Sequence, residues 1–205
     1  MLIPQFRQFA SLLPELKDSE LGLYERHYEL LRQWNEKMNL VSRKSIDAAF
    51  ANHYADSVQI AAFAYSHIKN LPVFDLGTGA GFPGLIFAIR YPETRITLFE
   101  KSLKKQTFLS AVVSSLELSN VEIMGGFPDE RFKAFFFARA VFPREELFQF
   151  FLKRALPGSL LVANLGGSAE VGTFPKRLEK RAEKKYALPG DAGERRMELF
   201  SLCST

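Results

Sequence analysis

Apolar and polar residues change their rhythm near residue 72, and the change divides the chain into two kinds of element. Before it, Leu21, Leu23, Tyr24, Tyr28, Leu30, Leu31 and Trp34 recur at spacings near three and four, the stripe of a helix that buries one face. Asp18 or Ser19 is expected to cap that helix, with Glu20 adding favourable charge in its first turn. Ser45–Ile68 supplies one or two more helices, ended by Asn70-Leu71-Pro72. From Val73 onward short apolar runs alternate with helical stretches. Val73–Leu76, Arg95–Glu100, Val121–Met124, Ala134–Val141 and Ser159–Asn164 read as strands. Helices are predicted from Pro83 or Gly84, over Lys104–Leu118, and over Glu145–Leu156, where Pro157-Gly158 closes the last. Pro suits a first helical turn, because its missing N–H would have no partner there. Lys184–Leu188 and Met197–Cys203 offer a final antiparallel strand pair.

Strand–helix alternation at this spacing implies right-handed crossovers and a doubly wound sheet. The expected fold is α/β, with a mainly parallel seven-stranded sheet and an N-terminal helical extension. Residues 1–70 form the helical segment and residues 71–205 the core.

Composition narrows the class. A length of 205 residues suits one domain, and 47% apolar residues allow a core without covalent staples. No apolar run reaches the roughly 18 residues of a membrane span, and Met1 to Phe9 lacks a secretory layout. A soluble, cytoplasmic monomer is expected. Cys203 is the only cysteine, which excludes an internal disulfide and a thiolate zinc cluster; a small buried filler is its expected role. His27, His53 and His67 have no metal-ligand spacing, and no metal is expected. Net charge is +4, and Lys176 to Arg196 holds eight Lys or Arg against four acids. A solvated helix face accounts for part of that run, and a polyanionic partner would account for the rest.

In an open parallel sheet, ligands bind outside the carboxyl ends of the strands. The turn Asp75-Leu76-Gly77-Thr78-Gly79-Ala80-Gly81 follows the first strand there. Gly77 and Gly79 permit backbone geometries and close approaches that a Cβ would block. Asp75 could face a cationic ligand, and Glu100, at the end of the second strand, could accept ribose hydroxyls. Gly79-Ala80-Gly81-Phe82-Pro83-Gly84 also matches the dinucleotide pattern G-x-G-x-x-G, weak evidence when taken alone. Two features favour S-adenosylmethionine over NAD or FAD, with a purely structural turn as the remaining alternative. The glycines follow Asp75 as D-x-G-x-G-x-G, and Pro83 starts the helix where a dinucleotide turn would still be holding pyrophosphate with N–H groups. Phe82 could pack on the adenosine or sulfonium, or belong to the core. Pro128-Asp129, after the third strand, falls where adenine is gripped in this architecture, or the loop is only a connection.

Several motifs in order then add a resemblance. Trp34-Asn35-Glu36-Lys37-Met38-Asn39-Leu40, His53-Tyr54-Ala55-Asp56-Ser57 and Asp75 through Gly84 resemble the small-subunit ribosomal RNA methyltransferase G family (RsmG, glucose-inhibited division protein B). Leu103-Lys104-Lys105 before Phe108-Leu109, Ala138-Arg139-Ala140-Val141 and Gly193-Glu194-Arg195 continue the match, over about residues 25 to 200. The resemblance implies a Rossmann-like class I methyltransferase fold. It also implies methyl transfer from S-adenosylmethionine to guanine N7 in the decoding-region loop of 16S rRNA, on RNA or the small ribosomal subunit. By motif position the cofactor contacts fall on Gly77, Phe82, Pro128, Asp129 and Arg139; Asp75, Gly79 and Glu100 join them from the turn argument.

Guanine N7 carries an available lone pair, so no proton need be removed first, and catalysis can rest on positioning. Arg139 is the candidate catalytic residue, able to donate to guanine O6, a phosphate or the cofactor carboxylate; an ion pair bracing the sheet edge is its other reading. Lys104, Lys105 and Arg195 are candidate RNA contacts, with plain surface solubility the alternative for the two lysines. His53 and Asp56, one helical turn apart, are expected to brace the N-terminal helices. The chain departs from the family pattern at Ala163-Asn164-Leu165-Gly166-Gly167, where a lysine is lost, and at Asn52, commonly Arg. These departures keep two alternatives in view: a methyltransferase with another substrate, and a weakly active ribosome-binding homologue.

Overall fold

The amphipathic stripe becomes α1, Asp18–Met38, which buries Leu21, Tyr24, His27, Tyr28 and Leu31. The computed structural model describes residues 16–42, 50–139, 142–164, 173–188 and 193–204. Met1–Phe9, Ala140-Val141 and Leu165-Gly166-Gly167 therefore lie outside the described residues, as does the side chain of Asn52. The helix starts one position earlier than a cap at Asp18 or Ser19 requires. Glu20 reaches back instead, its carboxylate accepting the Lys17 backbone N–H at 2.9 Å. The same carboxylate pairs with Arg90 at 3.3 Å. Of the Ser45–Ile68 stretch, the described part is a π-helical turn at Phe50–Ala55 running into α2, Asp56–Tyr65.

Next come β1 (Val73–Leu76), α3 (Gly84–Arg90), β2 (Ile96–Phe99), α4 (Leu103–Ser115), β3 (Val121–Met124), β4 (Phe135–Arg139), α5 (Arg144–Arg154) and β5 (Leu160–Asn164). Two long strands, β6 (Leu178–Ala187) and β7 (Glu194–Leu202), close the chain. The sheet order is β3-β2-β1-β4-β5-β7-β6, with β1 to β5 parallel and β7 antiparallel to both its neighbours. The order reverses between β1 and β4, so their carboxyl ends open a crevice.

Strand β4 shows how the core forms. Successive side chains point to opposite faces. Phe135 and Phe137 enter the cluster built with α1 to α4, while Phe136 and Ala138 join Leu147, Phe148 and Phe151 of α5 on the other face. Each fully buried Phe contributes about 2–3 kcal/mol of transfer free energy.

The antiparallel pair expected at Lys184–Leu188 and Met197–Cys203 is present and extends further back, so the part of the basic run read as a helix face is strand as well. Lys180, Arg181, Lys184 and Lys185 lie along β6, which pairs with β7 through a bulge at Lys180/Ala182. Leu178 is buried and Ala182, Lys184 and Tyr186 are partly so, which is a two-residue period. The charges also suit an edge strand, since they discourage further strand pairing. Cys203 is half-buried, its Sγ 3.7 Å from Glu179 Oε2, rather than a core filler. Among the described residues no helix is long and apolar enough to cross a membrane.

Candidate active site

Four carboxyl-end segments meet at one cleft of about 510 Å³, a size in the ordinary range for small-molecule sites. Leu76 and Gly77 come from the turn after β1, and Phe99, Glu100 and Lys101 from the end of β2. Gly126 and Phe127 follow β3, and Arg139 ends β4. Lys105 on α4 and Phe142 and Phe150 near α5 complete it.

The turn takes its shape from glycine. Gly77 and Gly79 have φ of 63° and 61°, in the left-handed region that strains side chains with a Cβ. Glu100 holds the turn open: Oε2 accepts the Gly79 N–H at 3.0 Å and Oε1 accepts the Ser102 N–H at 2.9 Å. A carboxylate has about four acceptor positions, so lone pairs remain for hydroxyl donors in the cleft.

Asp75 lies elsewhere than expected. It is buried under the turn, with Oδ2 accepting the Gly84 N–H at 2.9 Å, and it does not line the cleft. A Cβ on Gly84 would sit 2.4 Å from that oxygen, so α3 packs directly over the carboxylate. Burial pushes the Asp75 carboxyl up to about 6, opposed by Thr78, Gly84 and Arg139. Asp75 thus ties strand to helix rather than facing ligand.

Phe82 also turns inward. Its ring stacks on His53 at 5.1 Å and meets Tyr54 and His27 edge-on at 5.1 and 5.2 Å. Behind it, fully buried His27 lies 3.1 Å from the Ala80 carbonyl through Nε2 and 2.6 Å from the Tyr54 hydroxyl through Nδ1. A carbonyl only accepts, so Nε2 carries the proton and Nδ1 accepts from Tyr54. Sequence reasoning gave His27 no role; its place on the buried stripe of α1 was the available signal.

Arg139 makes the ion pair of its second reading and also lines the cleft. Its guanidinium is fixed from behind. Nη1 donates to Ser57 Oγ at 3.3 Å and pairs with Asp56 Oδ2 at 3.4 Å, while Nη2 donates to His53 Nδ1 at 2.5 Å. The same guanidinium lies 5.7 Å from the Phe82 ring centre. Burial, with the Arg139 and Arg195 charges, lowers His53 to about 4, so the ring is neutral. Asp56, 2% exposed, is the hub. Tyr186 donates to it at 2.5 Å and Asn164 at 3.2 Å, and Arg195 stands 3.9 Å away. The N-terminal helices are thereby tied to the ends of β4 and β5 and to the β6–β7 hairpin.

This placement changes three of the expected contacts. Arg195 faces the Asp56 hub rather than an outer RNA surface, because a buried carboxylate draws it in. Asp129 is held by Arg154, which grips both its carboxylate and its carbonyl, so neither it nor Pro128 lines the cleft. Their predecessors Gly126 and Phe127 do. Lys105 reaches the cleft, whereas Lys104 is exposed beside it. Sequence reasoning also missed the aromatic wall. Phe127 packs against Phe99 and Phe150 at 4.6 and 5.2 Å, and Phe142 stacks on Phe150 at 5.6 Å.

The residues fit S-adenosylmethionine. Phe99, Phe127, Phe142 and Phe150 offer apolar surface for an adenine, Glu100 acceptors for ribose hydroxyls, and Gly77 an approach free of side chain. Arg139 and Lys105 supply cations for the methionyl carboxylate. Among the described residues no group of three or more His, Cys, Asp or Glu could hold a metal.

Comparison with known proteins agrees with this geometry. A ribosomal protein L11 methylase from Lactobacillus delbrueckii shares the fold, with a TM-score of 0.54 at 12% identity over 73% of this chain and 79% of that one. The Ribosomal RNA small subunit methyltransferase G of Exiguobacterium sibiricum is 31% identical over 94% of this chain and 89% of its own length. Its counterpart from Staphylococcus carnosus is 30% identical over 90% and 83%. The profile of the family described as rRNA small subunit methyltransferase G matches residues 21–195, from the buried stripe of α1 to the arginine at the Asp56 hub. With a match of that extent over a Rossmann-like sheet and its Gly-rich cleft, the chain belongs to the rRNA small subunit methyltransferase G family.

Proposed function

We propose that this chain transfers a methyl group from S-adenosylmethionine to N7 of a guanine in the decoding-region loop of 16S rRNA. The reading is carried by one observation: Gly77, Glu100 and Arg139 converge on the cleft of a chain in this family. When bound, the cofactor supplies an electrophilic methyl group on its sulfonium. The protein supplies position. Glu100 and the bare backbone of Gly77 hold the nucleoside end, and the Phe99–Phe127–Phe150 wall excludes water. Arg139, held on the Asp56, Ser57 and His53 side, presents a fixed cation to guanine O6, a phosphate or the cofactor carboxylate.

No base is required, because N7 offers its lone pair directly. The arrangement agrees with that. His27 and His53 are neutral, and both are committed to internal hydrogen bonds. Lys104 and Lys105, beside the cleft mouth, are suited to RNA phosphates. Mass-spectrometric mapping of 16S rRNA from cells with and without the protein tests the proposal. A 7-methylguanosine that depends on the protein is expected. If the purified protein binds S-adenosylmethionine but small-subunit RNA gains no methyl group, the substrate assignment fails.

A further inference from the structure

A second cavity, of about 490 Å³, opens at the opposite end of the sheet. Leu71 precedes β1, Lys133 precedes β4 and Gly158 precedes β5; Leu160 begins β5, and Arg181, Leu199 and Ser201 lie on β6 and β7. His67 and Lys69, from the loop after α2, complete it. The length of β4 separates this cavity from the active-site cleft, roughly 16 Å for five extended residues. The two openings face different ends of the molecule.

Its chemistry is one-sided. Among the described residues no carboxylate lines it, while two ammonium groups, a guanidinium and an imidazole do. The Arg181 guanidinium is held by Ser201 at 2.7 Å and by Glu179 at 2.7 Å. Lys69 and Lys133 have no ion-pair partner among the described residues. The Lys133 side chain lies across Gly158, where a Cβ would come 3.1 Å from Cε and 3.5 Å from Nζ. Two ammonium groups without an ion pair, beside a guanidinium whose Glu179 partner is not among the lining residues, make a receptor for a phosphoryl anion.

We propose that this basal cavity binds a phosphoryl group of the RNA backbone, as a second anchor remote from the methyl-transfer cleft. The inference rests on the RNA-methyltransferase reading. It adds that the chain grips two separated RNA segments, and so favours a folded subunit over a fragment holding only the target loop. A free phosphate compound would satisfy the same groups, and the experiment separates the two sources.

The double variant Lys69→Ala/Lys133→Ala is compared with the full chain on intact small subunits, on a loop fragment, and with inorganic pyrophosphate. Neither lysine is buried or placed in the cleft, so S-adenosylmethionine binding and transfer to the fragment should be unchanged. With the RNA source, KM for intact subunits rises at least tenfold and the salt slope of subunit binding falls by about two. Saturable pyrophosphate binding that the variant loses, with subunit KM unchanged, supports the cavity and assigns it a free anion. Unchanged subunit KM and salt slope, with no saturable pyrophosphate binding to either protein, overturns the proposal. If the full chain methylates no subunit at all, the proposed function fails separately, and the pyrophosphate arm alone decides the cavity.

Discussion

Nε2 of His27 on α1 donates to the carbonyl of Ala80 inside the Gly-rich turn, at 3.1 Å. This bond couples the N-terminal helix to the cleft, because the turn that bears Gly77 and Gly79 is gripped from behind. His27→Ala removes a ring packed on Phe82 and Phe108 and the bonds that ring makes to the Ala80 carbonyl and the Tyr54 hydroxyl. The expected loss of stability is about 3–5 kcal/mol, with weaker S-adenosylmethionine binding. Urea denaturation and calorimetry measure the two effects; a stable variant with unchanged affinity would detach α1 from the site.

Acid should destabilise the fold in a defined window. His27 and His53 are each lowered to about 4 from an ordinary 6.5, so the unfolded chain binds more protons between those values. Their contribution is complete above pH 6.5 and is lost as pH falls toward 4. Asp75, raised to about 6, acts oppositely over nearly the same range, since the folded state holds the extra proton there. The net is about one proton, or about 1.4 kcal/mol of stability lost per pH unit below pH 6. Denaturation midpoints at pH 7.5, 6 and 5 check the slope, and His27→Phe should flatten it.

Arg139→Lys tests the fixed guanidinium. A lysine keeps the charge near Asp56 but cannot reproduce the simultaneous contacts to Ser57, His53 and the cleft. Transfer should fall by a factor of about 100 while the protein stays folded. Near-normal turnover would reduce Arg139 to a brace.

Gly77→Val and Glu100→Gln probe the cofactor side. Valine at a φ of 63° costs about 1–3 kcal/mol in backbone strain and fills the approach to the nucleotide, so binding should be lost. Gln at position 100 keeps one carbonyl acceptor for the two backbone N–H groups, and S-adenosylmethionine affinity should drop about tenfold. Isothermal titration of both variants is decisive. Unaltered affinity in either would misplace the site.

Charge on the cleft rim and charge at the hub should behave differently. Lys104→Glu should weaken RNA binding and lower the salt slope by about one, leaving stability alone. Arg195→Ala should instead lower the thermal midpoint, because the residue stands beside buried Asp56. A salt-slope change in the second variant, without loss of stability, would return Arg195 to the RNA surface.

The strand–helix alternation, the seven strands and the cleft at Gly77 were legible because they depend on local order: a period of two or 3.6, and glycines where the backbone must turn. Motif order along the chain pointed to the family for the same reason. The direction in which Asp75, Phe82, Asp129 and Arg195 face was not legible. A side chain's partner is set by what the fold brings beside it, here Gly84, His53, Arg154 and Asp56, the last 139 positions away from Arg195. The helix-face reading of part of the basic run failed for a related reason: a charged edge strand and a solvated helix face share a composition, and only pairing with β7 tells them apart. The Asp56 hub, the His27 clamp and the basal cavity likewise assemble groups distant in sequence. Chain order therefore determined which elements exist, and tertiary packing decided which residues meet.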